Sequence, residues 1–172
     1  MTPPRKAVHS VNALVAEIAG VHEGIVALDG CPLAGKSTVR VLICERLGAI
    51  GLELDRFLTR EQGKYVDALR ADDISVAVQD ALSRSSIVVL DGVCMRAILA
   101  ALGLAARLHV YVQPISPSGV LRNIETLDAE NGKPLDPTVA PFFSELDHEV
   151  FRYHAAYQPF NRANVIYYRA DE

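Results

Sequence analysis

Gly30-Cys31-Pro32-Leu33-Ala34-Gly35-Lys36-Ser37 decides the reading of this chain, because it satisfies the pattern G-x-x-x-x-G-K-[ST]. The two glycines, the lysine and the hydroxyl fall at the offsets a loop needs to wrap an anion in its backbone N–H groups. The surroundings agree. Gly24 to Leu28 is a compact apolar run ending at Asp29, and a helical pattern follows from about Lys36 to Leu47. Strand, glycine loop and helix in that order aim the loop amides and the positive end of the helix dipole at one point, where a polyphosphate is held. There Lys36 is expected to supply a point charge to the β- and γ-phosphates and Ser37 a hydroxyl to Mg²⁺. Gly30, Cys31, Pro32, Leu33, Ala34, Gly35, Lys36, Ser37 and Thr38 therefore form the expected nucleotide-binding segment, for ATP with Mg²⁺. The Thr38 hydroxyl either touches the α-phosphate or caps the helix. Cys31 reads as a small filler residue, although nearby N–H dipoles would depress a thiol pKa at that position.

Outward from this segment the chain alternates. Ser10 as N-cap, Val11, Leu14, Val15 and Ile18 at helical spacing, and Gly20 at the end define a short leading helix. Ile50 to Leu54 is a second strand, ending in Asp55; Ile74, Val78 and Leu82 mark one face of a helix capped by Asp72 or Asp73. A third strand, Ile87 to Leu90, ends in Asp91; a helix over Met95 to Leu102 closes at Gly103, and Leu108 to Val112 is a fourth strand. After Pro114 and Pro117 come a polar helix from about Ser118 to Glu130 and a loop over Asn131 to Pro141. A long helix striped by Phe142, Leu146, Val150 and Tyr153 precedes a fifth strand at Val165 to Tyr168. Near-continuous apolar strands separated by helices predict a parallel sheet covered on both faces. The expected fold is α/β, a doubly wound three-layer P-loop NTPase arrangement with five parallel strands, in one domain over residues 1–172.

Two further carboxylates end predicted strands, where open α/β sheets bind their ligands. Asp91 is expected to hold Mg²⁺ directly or through water, the alternative being an N-cap for the helix near Met95. Asp55 is the candidate base, a carboxylate that orients an acceptor O–H and takes its proton, or else a turn residue. Asp29 directly precedes the loop glycine, which favours bonds to loop backbone over contact with substrate. His148 and His154 are six residues apart and do not share a helix face as metal ligands; His109 falls in a strand as a core or edge residue. Tyr153, Tyr157 and Phe160 read as packing residues, with base stacking as the alternative.

Composition narrows the class. The 172 residues carry a net charge of −4 and are 50% hydrophobic and 22% charged, a balance that builds one packed core. No Lys/Arg-rich stretch occurs, so nucleic acid and anionic membrane are not the expected partners; a small hydroxyl-bearing molecule is. Cys31, Cys44 and Cys94 are odd in number and widely spaced, which fits reduced thiols in the cytoplasm. Met1 to His9 lead into no apolar h-region, and no 18-residue apolar run follows. Asp91-Gly92-Val93-Cys94 lacks the final glycine of a D-x-x-G switch and no N-K-x-D string occurs, which argues against a GTPase.

The ordered set Val26 to Thr38, Leu54-Asp55-Arg56-Phe57 and Val88 to Val93 resembles the uridine kinase and phosphoribulokinase-like group of P-loop kinases. Tyr157 to Ile166 looks like that group's closing helix and strand, so the resemblance spans roughly residues 24 to 168. It implies ATP-dependent phosphoryl transfer to a sugar hydroxyl of a nucleoside or similar acceptor, with an acid at the Asp55 position as base, an acid at the Asp91 position near the metal, and a lid. The lid departs from the group's arginine-rich pattern. Residues 116–138 hold Arg122 and Lys133 against Glu125, Asp128, Glu130 and Asp136, a formal charge of −2. Arg122 is the expected transition-state cation, or else a surface arginine. Arg56 and Arg60 follow Asp55 closely, either to bind an acidic acceptor or as solvated side chains. A nucleotide-binding regulatory protein with weak or no phosphoryl transfer is the alternative to a kinase.

Overall fold

A computed structural model describes residues 5–59 and 64–170. In chain order the elements are β1 (Lys6–Val8), α1 (Val11–Ala19), β2 (Gly24–Asp29), α2 (Lys36–Leu47), β3 (Ile50–Glu53), α3 (Tyr65–Ala68) and α4 (Ala71–Arg84). There follow β4 (Ile87–Asp91), α5 (Met95–Leu102), β5 (Ala106–Ile115), α6 (Ile124–Glu130), α7 (Glu145–Tyr157) and β6 (Val165–Ala170). Short 3-10 turns cover Leu54–Phe57 and Ala140–Phe142.

The sheet runs β1-β6-β5-β2-β4-β3, and every neighbouring pair is parallel. The α/β class and its parallel sheet stand, but the strands number six where the sequence predicts five. The additional strand, β1, is three residues long with only Val8 buried, too short to show a period; pairing with β6 makes it a strand. β2 and β4 are buried along nearly their whole length because helices cover both faces. Leu14, Ile18, Val39 and Ile43 of α1 and α2 pack on Val26, Leu28, Val89 and Val110. On the opposite face Ile74, Val78, Ile98, Leu99 and Val150 pack on Ile25, Ala27, Val88 and Leu90.

Local signals set most boundaries. Ser10 caps α1 by accepting from Ala13 N, and Gly103 closes α5 in the left-handed region. β5 runs from Ala106 to Ile115, longer than the expected Leu108 to Val112 and with Pro114 inside it, and three helix starts also differ from expectation. α4 starts after Arg70, which leaves Asp72 and Asp73 in its first turn beside the helix dipole instead of at the cap. α6 starts at Ile124, after a left-handed Asn123, so the helix expected from Ser118 is half as long. α7 starts after Ser144, whose capping box with Asp147 fixes the start and leaves Phe142 outside the helix and 86% exposed.

Candidate functional site

The carboxyl ends of β2, β4 and β3 lie side by side, which gathers the loop after β2, Asp91 and the turn after β3 at one edge. A cavity of about 400 Å³ opens there, lined by residues 32–38 of the loop and α2 with Asp55, Tyr65, Asp91, Val93 and Leu146.

The loop is shaped by its neighbours. Gly30 has φ +148°, and a Cβ there would lie 2.7 Å from Val112 O, so only glycine fits against β5. Asp29 Oδ1 accepts from Gly30 N at 2.8 Å, and its other oxygen accepts from the Tyr153 hydroxyl. Asp29 is buried, which pushes its carboxyl up; it serves loop backbone, as its position predicts. Lys36 Nζ donates to Gly30 O at 2.9 Å and Cys31 O at 2.7 Å, so the cation sits inside the loop's curve. Burial lowers its pKa, with Asp29 pulling the other way. Cys31 fills space: its thiol lies 3.4 Å from Thr126 Oγ1 and 3.7 Å from Tyr111 Oη, and burial pushes it up, away from thiolate chemistry. Thr38 is exposed and lies inside α2, whose N-cap is Gly35; it faces the cavity and does not cap the helix.

Ser37 and Asp91 meet. Ser37 Oγ donates to Asp91 Oδ2 at 2.8 Å, while Arg40 Nε donates to Asp91 Oδ1. Burial raises the Asp91 carboxyl, and Ser37 and Arg40 oppose the shift. Asp91 is the last residue of β4 and Cys94 is the N-cap of α5, so the helix-cap alternative for Asp91 is set aside. Glu53 stands opposite Asp91 in the β3–β4 register and sits 3.6 Å from Arg40 Nη2. Serine hydroxyl and carboxylate oxygens are the hard donors Mg²⁺ takes, and they face the loop. Among the described residues no group of three or more His, Cys, Asp or Glu is placed to hold a metal ion.

Asp55 reaches the cavity by a different route from the one expected. β3 ends at Glu53, and Asp55 projects from the 3-10 turn that follows, exposed and accepting from Tyr65 Oη at 2.5 Å. Burial and the nearby Asp55 push the Tyr65 phenol far up, so the proton stays on tyrosine. Glu149 of α7 holds this corner by accepting from Tyr65 N at 2.7 Å and Val66 N at 3.2 Å. Arg56 is 80% exposed and pairs with Glu53, on the solvated side of its two readings; Arg60 lies outside the described residues. Arg122 is exposed, its main chain bonded to Pro114 and Gln113, and it does not line the cavity.

Four contributors, Arg40, Glu53, Tyr65 and Glu149, were not legible as site residues. Helical spacing carried a signal for Arg40, three residues after Ser37 on α2. Tyr65 and Glu149 carried none. No helix among the described residues is long and apolar enough to cross a membrane.

Comparison with known proteins places the fold. No family model and no curated protein matches the chain. A solved structure described as a possible uridine kinase from Bacillus stearothermophilus is similar, with a TM-score of 0.60, 91% of this chain and 96% of that chain covered, and 12% identity. At that identity the likeness shows the fold alone: a P-loop kinase-like α/β fold.

Proposed function

We propose that this protein is an ATP- and Mg²⁺-dependent small-molecule kinase that transfers the γ-phosphate to a hydroxyl of a nucleoside or similar metabolite, in the manner of uridine kinases. The observation that carries this reading is the contact of Ser37 Oγ with Asp91 Oδ2 at 2.8 Å, beside a loop of nucleotide-binding pattern and with Asp55 facing the same cavity. The similar fold of a possible uridine kinase supports it.

In this mechanism the amides of the Gly30–Ser37 loop hold the polyphosphate, and Lys36 exchanges the Gly30 and Cys31 carbonyls for β- and γ-phosphate oxygens. Ser37 and Asp91 would hold Mg²⁺, which neutralises charge on those oxygens. Asp55, fixed by Tyr65, orients the acceptor O–H and takes its proton as the new O–P bond forms; the bond to the bridging oxygen breaks and ADP leaves. Arg122 joins as the transition-state cation when the segment over residues 116–138 closes across the cavity. The acceptor is a small hydroxylated metabolite, with no part for nucleic acid or membrane. Three free cysteines fit a reducing cytoplasm.

The test is phosphoryl transfer from MgATP across a panel of nucleosides, sugars and other alcohol-bearing metabolites, with Lys36→Ala as control. Turnover on an acceptor class that vanishes in the control supports the kinase. Tight ATP binding with no transfer overturns it in favour of a regulatory nucleotide-binding protein, the reading that an Arg122 outside the cavity favours.

A further inference from the structure

The strand order gives the cavity two ends. Ser37, Asp91, Glu53 and Asp55 gather on the side of β4 and β3, so a nucleotide with its transferable phosphate near these acids extends its nucleoside the other way. That direction leads across β5 to β6, whose carboxyl end carries Arg169.

Arg169 comes back to the loop. A Cβ built on Gly35 would lie 2.6 Å from Arg169 Nη1, 2.7 Å from Cζ and 2.8 Å from Nε. Three guanidinium atoms at nearly one distance mean that the plane lies flat over the Gly35 α-carbon. Gly35, in the left-handed region at φ +84°, both starts α2 and leaves room for this plane. Among the described residues Arg169 has no ion pair and no hydrogen-bond acceptor, and its side chain is half-buried, so it is a cation held by packing with its donors uncommitted. The cavity lining itself carries one basic side chain among the described residues, Lys36, already assigned to the phosphate end; Arg169 is not part of that lining and touches it through Gly35.

We propose that Arg169 is a nucleotide-binding residue, its guanidinium plane forming the platform on which the base of the nucleotide stacks. This rests on the kinase reading of the same site. A flat, delocalised cation offers a face to the π-system of any base and reads no base edge. It therefore contributes affinity for nucleotides without choosing between adenine and guanine.

The experiment measures binding of MgATP, MgGTP and magnesium tripolyphosphate to the wild type, Arg169→Gln and Arg169→Lys by calorimetry, with thermal melts to verify folding. Tripolyphosphate keeps the phosphates and lacks the nucleoside. The expected result is a loss of roughly tenfold in affinity for ATP and GTP alike in Arg169→Gln, unchanged affinity for tripolyphosphate, and no rescue by lysine, which keeps the charge and loses the plane. Equal weakening of tripolyphosphate overturns the proposal, because Arg169 would then act on the phosphates or on loop shape; so does unchanged ATP binding. A wild type that binds none of the three ligands removes the kinase reading and this inference with it, whereas tight wild-type binding indifferent to Arg169 removes the inference alone.

Discussion

The Tyr65 hydroxyl donates to Asp55 Oδ1 across 2.5 Å, and Glu149 of α7 anchors the backbone at Tyr65, so the candidate base is fixed by residues from two other segments. Asp55→Asn is expected to leave ATP affinity unchanged and to lower phosphoryl transfer at least a hundredfold, since the amide cannot take the proton. Tyr65→Phe removes one hydrogen bond to a carboxylate and should lower kcat about tenfold with KM for ATP unchanged. Steady-state kinetics at varied ATP separate the two parameters; full activity in Asp55→Asn would refute the assignment.

Asp91 is 3% exposed and its partner Arg40 14%, so the pair is largely removed from water. Asp91→Ala leaves a buried guanidinium with only the more distant Glu53, and is expected to destabilise the protein by about 3 kcal/mol as well as abolish Mg²⁺-dependent transfer. Adding Arg40→Met to that variant should restore much of the stability and none of the activity. Urea denaturation of the single and double variants checks this; an additive, further destabilised double variant would show that the two residues are not coupled.

Gly30 and Gly132 both have positive φ, but a Cβ at Gly30 meets a backbone oxygen and one at Gly132 meets nothing within 4 Å. Gly132→Ala therefore carries only conformational strain, about 1 kcal/mol. Gly30→Ala adds a collision with Val112 O that no side-chain rotation relieves, and should cost about 2 kcal/mol or more together with nucleotide binding. Equal melting temperatures for the two variants would contradict this account of the loop.

His154 is fully buried, with Nε2 2.9 Å from Tyr111 Oη, and burial lowers its pKa from 6.5 to about 4. The folded protein keeps this ring neutral while the unfolded chain protonates it near 6.5. Its contribution is therefore complete above that value and is lost as pH falls toward about 4, at a limiting slope of about 1.4 kcal/mol per pH unit. His109, lowered to about 4 by burial and then by Arg96 and Arg162, acts in the same window. Asp29 and Asp91, raised by burial, act in the opposite sense, because the folded state takes up their protons first. His154→Gln should lose less stability than the wild type between pH 7 and pH 5 in urea titrations, and an identical loss would remove His154 as a source.

The sequence by itself determined the features written in short, local patterns. An apolar run, two glycines and a lysine fixed β2, the loop and α2, because periodicity and φ preference act over a few residues. Strand ends at Asp29 and Asp91 were legible for the same reason. Tertiary structure decided everything that depends on which strands are neighbours. β1 exists because β6 offers it an edge; Glu53 joins Asp91 because β3 pairs with β4; Asp55 meets Tyr65 through a 3-10 turn that no apolar period announces. The two arginines show the difference most plainly. Arg122, named from the lid's composition, and Arg169, 134 positions beyond Gly35 in the sequence, both lie outside the cavity lining, yet Arg169 lies flat on the loop. Sequence distance carries no record of that contact, since it arises from a strand order in which the last strand stands two places from β2.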